Sequence, residues 1–294
     1  MLTRLTGVWL GLALLSGPAA PGQEISKVSK DRKVLVELFT SQGCNMCPAA
    51  EDLLARLEAL GYGRDKVIPL AFHVDYFNKP WADPLSDRQY SSREWAYHLA
   101  FQARDSKAPS LYFTPMVMID GRIPLSGYDA SKKPEVQRRF TSALDQRLSQ
   151  RLEATLAIRL ETLPGEFRSG TLHVEARPSS ARFLGREVLL GVAIYQETVT
   201  TAVRSGENAG KTLVEHNAVR RFQHQKIKLG QTGPTATEFA LKLEDDWELP
   251  GIGVAIFLQD ETSGAIYQAD SIPWPAPATA VEPSTNPPDS GPAR

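Results

Sequence analysis

Cysteine is almost absent from the 294-residue chain, which contains only Cys44 and Cys47. Exported proteins that depend on structural disulfides usually have more cysteines at wider spacings. A bond between two cysteines so close in sequence closes almost no loop, so it restricts the unfolded chain very little. The scarcity of cysteine therefore argues against a disulfide scaffold and favours a chemical role for this pair.

An excess of charge of one sign is missing as well, because 33 Lys and Arg residues are balanced by 34 Asp and Glu residues. Binding to nucleic acid needs a concentrated basic surface, so we predict no nucleic-acid partner. No run of about 20 apolar residues follows the N-terminal segment, and we therefore predict no membrane span in the mature chain. The hydrophobic share of 42% is ordinary for a globular protein and is enough to bury a core.

The N-terminal segment has the pattern of an export signal. Arg4 supplies a positive charge, residues 8–15 form a short apolar run, and small residues such as Ala19 and Ala20 follow. This pattern predicts a signal peptide over residues 1–22 that is removed on export. We therefore expect the mature protein to be periplasmic or secreted.

Apolar periodicity in the first half of the chain predicts alternating strands and helices. Residues 34–39 and 67–74 are short apolar runs that are typical of central strands. Apolar residues recur at helical spacing from Cys47 onward and again over residues 87–104. The order strand, helix, strand, helix, hairpin, helix predicts one α/β domain over residues 30–150.

The second half of the chain predicts a different class of domain. Between residues 151 and 272, several short runs alternate apolar and polar residues, with turn residues between them and no helical pattern. Such runs are typical of an all-β, sandwich-like domain with antiparallel strands. The proline-rich tail over residues 273–294 has no periodicity, so we expect it to be disordered.

The position of the cysteine pair suits thiol chemistry. Cys44 follows the first predicted strand, and Pro48 favours the start of a helix directly after Cys47. Amide donors and the positive dipole end at a helix N-terminus stabilise a thiolate, and they can lower a cysteine pKa from about 8.5 to about 3.5–7.5. A Cys44 thiolate would attack a disulfide, and Cys47, one helical turn later, would resolve the mixed disulfide. The spacing therefore predicts dithiol–disulfide exchange.

Four stretches of the chain carry a family resemblance, namely VELFTSQGCNMCPAAEDLL, LAFHVDYFNKPWADP, YFTPMVMIDGR and GENAGKTLVEH. Together they resemble DUF1223, an exported family of thioredoxin-like proteins, over roughly residues 33–270. The family is named for its unknown function, so the resemblance implies more about fold than about activity. The fold class that we predict is an α/β thioredoxin-like domain followed by an all-β sandwich-like domain.

The thioredoxin resemblance also implies roles for individual residues. In thioredoxins a cis proline lies against the cysteines, and the backbone of the preceding residue pairs with bound peptide. Pro115 and Thr114 resemble these two residues, which makes Thr114 a candidate substrate-binding residue. Glu37 resembles the buried carboxylate that thioredoxins keep below the second cysteine, although it is one residue further from Cys44. The candidate catalytic residues are therefore Cys44, Cys47, Pro115 and Glu37.

Aromatic and histidine side chains are further candidates. Tyr76 and Trp81 would either line a groove for an extended peptide substrate or simply cover the sheet, and the sequence favours neither. We interpret His73 as a hydrogen-bonded core residue rather than a metal ligand, because a lone histidine in an apolar strand has no ligand spacing of its own. His216 and the turn at residues 206–210 we interpret as a hairpin loop.

The leading hypothesis is an exported thiol–disulfide oxidoreductase that acts on protein thiols or disulfides and needs no bound cofactor and no metal. If it acts as a reductase, a membrane redox partner would recharge it. One alternative is a copper(I) carrier in which both thiolates, Met46 and His73 supply the ligands. Against this, a single Cys-x-x-Cys without a clear third ligand is a weak metal signature. The other alternative is a non-catalytic binding module, because a fold does not determine a function.

Overall fold

The computed structural model describes residues 22–125 and 133–275. In these two ranges the chain forms strands more often than helices. The strands are β1 (Glu24–Ser29), β2 (Val34–Thr40), β3 (Val67–His73), β4 (Met116–Ile119), β5 (Ile123–Leu125), β6 (Ala154–Leu163), β7 (Glu166–Pro178), β8 (Glu187–Ala202), β9 (Thr212–Lys228), β10 (Thr235–Lys242), β11 (Ile252–Gln259) and β12 (Ile266–Pro273). The α-helices are α1 (Cys47–Ala55), α2 (Arg88–Arg104) and α3 (Lys133–Leu148).

The larger sheet has eight strands in the order β12-β11-β8-β9-β3-β2-β4-β5. Within it, β2 pairs in parallel with β3 and antiparallel with β4. Every residue of β2 and of β3 is buried. Burial on both faces explains why these two strands are continuous apolar runs rather than alternating ones.

Different helices cover the two faces of the sheet at β2. On one face, Val36 and Leu38 share a hydrophobic core with residues of α1 and α3. On the opposite face, Leu35 and Phe39 share a core with aromatic residues of α2. Successive side chains of a strand point to opposite faces, so each residue of β2 faces either α1 and α3 or α2.

The smaller sheet contains four antiparallel strands in the order β1-β6-β7-β10. Along β6, buried residues alternate with partly exposed ones, and Leu156, Ile158 and Leu160 point inward. They share a core with Val192 and Ile194 of β8, so the smaller sheet packs against part of the larger one. This one-sided burial is what the alternating pattern of the second half predicts.

The predicted fold class, an α/β thioredoxin-like domain followed by an all-β sandwich-like domain, is wrong. The described chain is mostly β and is organised around two large sheets, and β2 to β5 belong to the same eight-stranded sheet as β8, β9, β11 and β12. The two halves are joined by the parallel pairing of β3 with β9, where Ala71 lies opposite Ala218. Apolar periodicity identifies a strand but not the strand with which it pairs. The sequence pattern therefore does not predict that β3 pairs with β9, which lies far away along the chain.

Two predicted segments lie largely outside the described residues. These are the signal peptide over residues 1–22 and the tail over residues 273–294, of which the structure describes only Gly22 and the residues up to Pro275. Trp274 is buried, and its indole Nε1 donates a hydrogen bond to the backbone oxygen of Phe167 (2.7 Å). Within residues 22–125 and 133–275, none of the helices combines the length and the hydropathy that crossing a bilayer requires.

Candidate functional site

The two cysteines lie at the junction between β2 and α1. Cys44 lies in the turn after β2, and its backbone N–H donates to the oxygen of Ser41 (3.1 Å). Cys47 is the first residue of α1, its N–H donates to the oxygen of Cys44 (3.2 Å), and Pro48 occupies the first helical turn. Both are free thiols, and the exposed fractions of Cys44 and Cys47 are 4% and 2%. Both cysteines are therefore almost completely enclosed by the protein.

The surroundings of the two thiols separate their acidities. A hydrogen bond from the Cys47 side chain lowers the pKa of Cys44 to about 6, and the backbone amides of Met46 and Cys47 act in the same direction. Burial raises the pKa of Cys47 well above its ordinary value, and the neighbouring Cys44 raises it further. Near neutral pH Cys44 is therefore mostly a thiolate, whereas Cys47 keeps its proton.

A cis proline lies beside Cys44. The peptide bond between Thr114 and Pro115 is cis, and the backbone oxygen of Thr114 lies 3.9 Å from Cys44 Sγ. Pro115 is buried and directly precedes β4, which pairs with β2. The pairing of these two strands thus places Cys44, Cys47, Thr114 and Pro115 in one group.

Both aromatic candidates are anchored near this group. Trp81 Nε1 donates to the side-chain oxygen of Gln42 in the cysteine loop (3.2 Å). Tyr76 donates its hydroxyl to one carboxylate oxygen of Glu94 (2.9 Å), and the other oxygen accepts from the N–H of Phe113 (3.1 Å). Burial raises the pKa of Glu94 to about 8. Glu94 thus connects Tyr76 to the segment that ends at the cis proline, and it escaped the sequence analysis because one glutamate in a helix carries no distinguishing pattern.

Glu37 is separated from the cysteines by the sheet itself. Its carboxylate accepts hydrogen bonds from Arg93 Nε (2.6 Å) and from the hydroxyl of Tyr97, both in α2. The side chain therefore points to the α2 face of β2, whereas Cys47 begins α1 on the opposite face. The one-residue offset from the thioredoxin position accounts for this, because a shift by one residue along a strand reverses the face.

A loop from the second half of the chain holds the cysteine loop in place. The side-chain amide of Asn208 donates to the backbone oxygens of Gln42 and Cys44, both at 2.9 Å. A carboxylate oxygen of Glu207 accepts from the N–H of Asn45 (2.9 Å). The turn at residues 206–210 connects β8 to β9, as a hairpin loop does, and it also positions Cys44. The glycine-rich sequence GENAG predicts a turn at residues 206–210, but it does not predict that this turn contacts the cysteine loop.

Buried polar side chains lie on the other side of Cys47. A cavity beside the start of α1 is lined by Thr40, Cys47, Glu51 and Glu215, among others. His73, at the end of β3, is fully buried and bonds through Nδ1 to an oxygen of Asp83 (2.8 Å). His73 is thus buried and hydrogen-bonded, as its place in an apolar strand predicts, whereas no local pattern in the sequence points to Glu51 or Glu215.

Comparison with known proteins identifies the family. Residues 35–259 match the family described as protein of unknown function (DUF1223). The chain belongs to the DUF1223 family. The matched residues of this DUF1223 protein include both cysteines, the cis proline and the loop that holds them.

One solved structure has a similar fold. It is the crystal structure of protein AGR_C_4864 from Agrobacterium tumefaciens, with a TM-score of 0.55 and 22% sequence identity, and the match covers 85% of the DUF1223 protein and 98% of that chain. At this identity the likeness concerns the fold alone. No curated protein matches the DUF1223 protein significantly.

The ligand set of the copper(I) alternative is not brought together in the described part of the DUF1223 protein. Met46 is half-exposed to solvent, whereas Cys44 and Cys47 are buried. The Nδ1 atom of His73 is bound to Asp83, and the ring lies with Glu51 and Glu215 rather than with the thiols.

The pKa of Cys44 predicts how its alkylation depends on pH. Because only the thiolate reacts, the iodoacetamide rate of the DUF1223 protein should rise through a midpoint near pH 6 and level off at neutral pH. Because the sulfur is sterically protected, the reaction should be slow at every pH, but this protection does not change the pH of the midpoint. The Cys47→Ala variant lacks the side-chain donor and should titrate at higher pH, whereas Cys47→Ser keeps a donor and should stay closer to wild type. A wild-type midpoint near that of free cysteine, about 8.5, would contradict the assignment.

Proposed function

We propose that this DUF1223 protein is an exported thiol–disulfide oxidoreductase that acts on protein thiols or disulfides. The observation that carries the proposal is the placement of two free thiols at the start of α1 beside a cis proline. These surroundings lower the pKa of Cys44 to about 6 and raise that of Cys47. An acidic thiol is a nucleophile at neutral pH. Once Cys44 is part of a mixed disulfide, its charge no longer raises the pKa of Cys47, so Cys47 can lose its proton and resolve that disulfide. Export, inferred from the signal pattern over residues 1–22, would put the pair in an oxidising compartment.

The exchange proceeds in two steps when the substrate is reduced. The Cys44 thiolate attacks one sulfur of a substrate disulfide, so that a new S–S bond forms, the substrate S–S bond breaks and the other substrate sulfur leaves as a thiolate. Cys47 then loses its proton and attacks Cys44 Sγ, the S–S bond between Cys44 and the substrate breaks, and the departing substrate sulfur takes up a proton as the Cys44–Cys47 disulfide closes. The protein supplies two electrons and one proton, and solvent supplies the second proton. Oxidation of a substrate dithiol is the reverse sequence.

Thr114, Tyr76 and Trp81 are the proposed substrate contacts. The backbone of Thr114 runs within 3.9 Å of Cys44 Sγ, where it would pair with an extended peptide that presents its sulfur to the nucleophile. Tyr76 and Trp81 are partly exposed, and each is held by a hydrogen bond to a residue next to the site. The likeness to thioredoxins that supports these contacts is limited to the local arrangement of the cysteines and the cis proline, and it does not extend to the fold.

Equilibration with glutathione redox buffers tests the proposal. We expect the full chain to convert reversibly between dithiol and internal disulfide, with a reduction potential between about −270 and −120 mV. A value near the upper limit indicates a disulfide donor, and a value near the lower limit indicates a reductase. The Cys47→Ser variant, which has no partner for an internal bond, is the control. A pair that cannot be oxidised, or a potential below about −300 mV as in structural disulfides, would refute the proposal.

A further inference from the structure

Three buried side chains from distant parts of the chain converge next to the cysteine helix. Glu51 lies in α1, His73 ends β3 and Glu215 lies in β9. One ligand atom of each lies within 4.8 Å of those of the other two. Their exposed fractions are 4%, 0% and 3%, so the polar atoms meet in a place that bulk water does not reach freely.

The hydrogen bonds of this cluster are incomplete. Within the described residues, neither carboxylate oxygen of Glu51 has a hydrogen-bond partner, and the Nε2 atom of His73 has none either. A buried polar atom without a partner is destabilising, and a charged one is more so. These atoms point into the same small space, where a bound cation would satisfy all of them.

Asp83 prepares His73 to act as a ligand through Nε2. It binds the Nδ1 atom of His73 (2.8 Å), and its own carboxylate accepts from the backbone N–H groups of Gln42 (2.8 Å) and Leu85 (2.9 Å). A metal ion that binds Nε2 would displace any proton there, while Nδ1 stays bonded to Asp83. A metal-bound histidine usually donates its other ring N–H to a carboxylate, a backbone oxygen or water, and this bond fixes the orientation of the ring.

We propose that Glu51, His73 and Glu215 bind a divalent transition-metal ion, with zinc as the expected one. One imidazole nitrogen and two carboxylate oxygens form a donor set that suits zinc, and the two carboxylates balance its charge. Ligand atoms about 2.0–2.2 Å from one ion lie at most about 4.4 Å apart, so rotation of a glutamate side chain closes the site. Glu51 and Glu215 also line the cavity beside Cys47.

A metal ion at this site would hold the cysteine helix α1 in place against the larger sheet. The ion would link α1, which begins at Cys47, to β3 and β9, the two strands that join the halves of the larger sheet. This inference uses neither thiol, so it does not depend on the proposed redox activity.

Metal titration of the full chain tests the proposal. After treatment with a chelator, the protein is titrated with zinc by calorimetry, and thermal unfolding is followed with and without the ion. We expect one zinc ion per chain and a rise in the unfolding temperature. Glu51→Gln should weaken binding by at least about 100-fold and Asp83→Asn, which affects only orientation, by about 10–100-fold. Glu58→Gln, an exposed residue just beyond α1, is the matched control and should bind zinc as wild type does.

Further measurements distinguish zinc binding at this site from zinc binding by the thiols, and loss of a ligand from misfolding of the variant. The Cys44→Ser/Cys47→Ser double variant should retain zinc, and cobalt bound to the wild-type chain should lack a sulfur-to-metal charge-transfer band. Glu51→Gln replaces a buried carboxyl group whose two oxygens have no hydrogen-bond partner in the described residues, so its metal-free form should unfold at a temperature no lower than that of wild type. Loss of binding in the double cysteine variant, equal binding by Glu51→Gln and wild type, or failure of wild type to bind zinc would each overturn the proposal.

Discussion

Replacing Cys44 by serine should lower the rate of exchange with a protein disulfide by at least about 1,000-fold, because the hydroxyl is not a nucleophile at neutral pH. The substitution changes one atom in a nearly buried position, so the fold and the loop contacts of Asn208 should persist. The measurement is the rate of reduction of a disulfide-bonded protein substrate by the pre-reduced chain. An unchanged rate of disulfide reduction in Cys44→Ser would contradict the proposed function.

The matching substitution of Cys47 should have a different outcome. Cys47→Ser keeps the Cys44 nucleophile but has no resolving thiol, so the covalent complex with the substrate should accumulate. It should be visible as a band that disappears on reduction, whereas wild type should show little of it. Asn45→Ser is the control, since Asn45 is exposed between the two cysteines and only its backbone contacts Glu207. A trapped complex that forms through Cys47 instead of Cys44 would reverse the assigned roles.

Glu37→Gln should lower the free energy of unfolding by about 3–5 kcal/mol, the usual cost of breaking a buried ion pair. The carboxylate is fully buried and pairs with Arg93 Nε at 2.6 Å. Without the carboxylate, the guanidinium stays buried among aromatic rings, with its carbon 4.8 Å from the ring centre of Phe257 and 5.1 Å from that of Phe222. The aromatic faces offset only part of the lost charge pairing. Denaturant unfolding at neutral pH measures the loss.

Two comparisons make the Glu37 result specific. Glu197→Gln breaks the exposed pair with Arg64 (3.3 Å) and should cost no more than about 1 kcal/mol. The double variant Glu37→Leu/Arg93→Met removes both buried charges and should recover much of the stability. The pH midpoint of Cys44 alkylation should be the same in Glu37→Gln as in wild type, because the sheet separates the two sites. A shifted midpoint with unchanged stability would restore the role that the thioredoxin resemblance implies for Glu37.

The position of the cysteine pair and its immediate surroundings were predictable because they depend on neighbours in sequence. An apolar run, a turn, two cysteines and a proline in the first helical turn specify a strand–turn–helix with a thiol at the helix start, and the structure has α1 beginning at Cys47. The pattern of α2 was readable for the same reason, since its predicted range over residues 87–104 agrees with Arg88–Arg104. Local patterns carry information about elements of this kind.

The sequence by itself determined the place of the cysteine pair between a strand and a helix, most of the strands and the α2 helix, because these depend on periodicity and on residues a few positions apart. Only the tertiary structure decided how the strands assemble into two sheets, which face of β2 Glu37 occupies, and that Asn208 holds the backbone of Cys44. It also brought Glu51, His73 and Glu215 together from one helix and two strands. Strand pairing and side-chain contacts between distant residues depend on the whole packed chain, and no local periodicity encodes them.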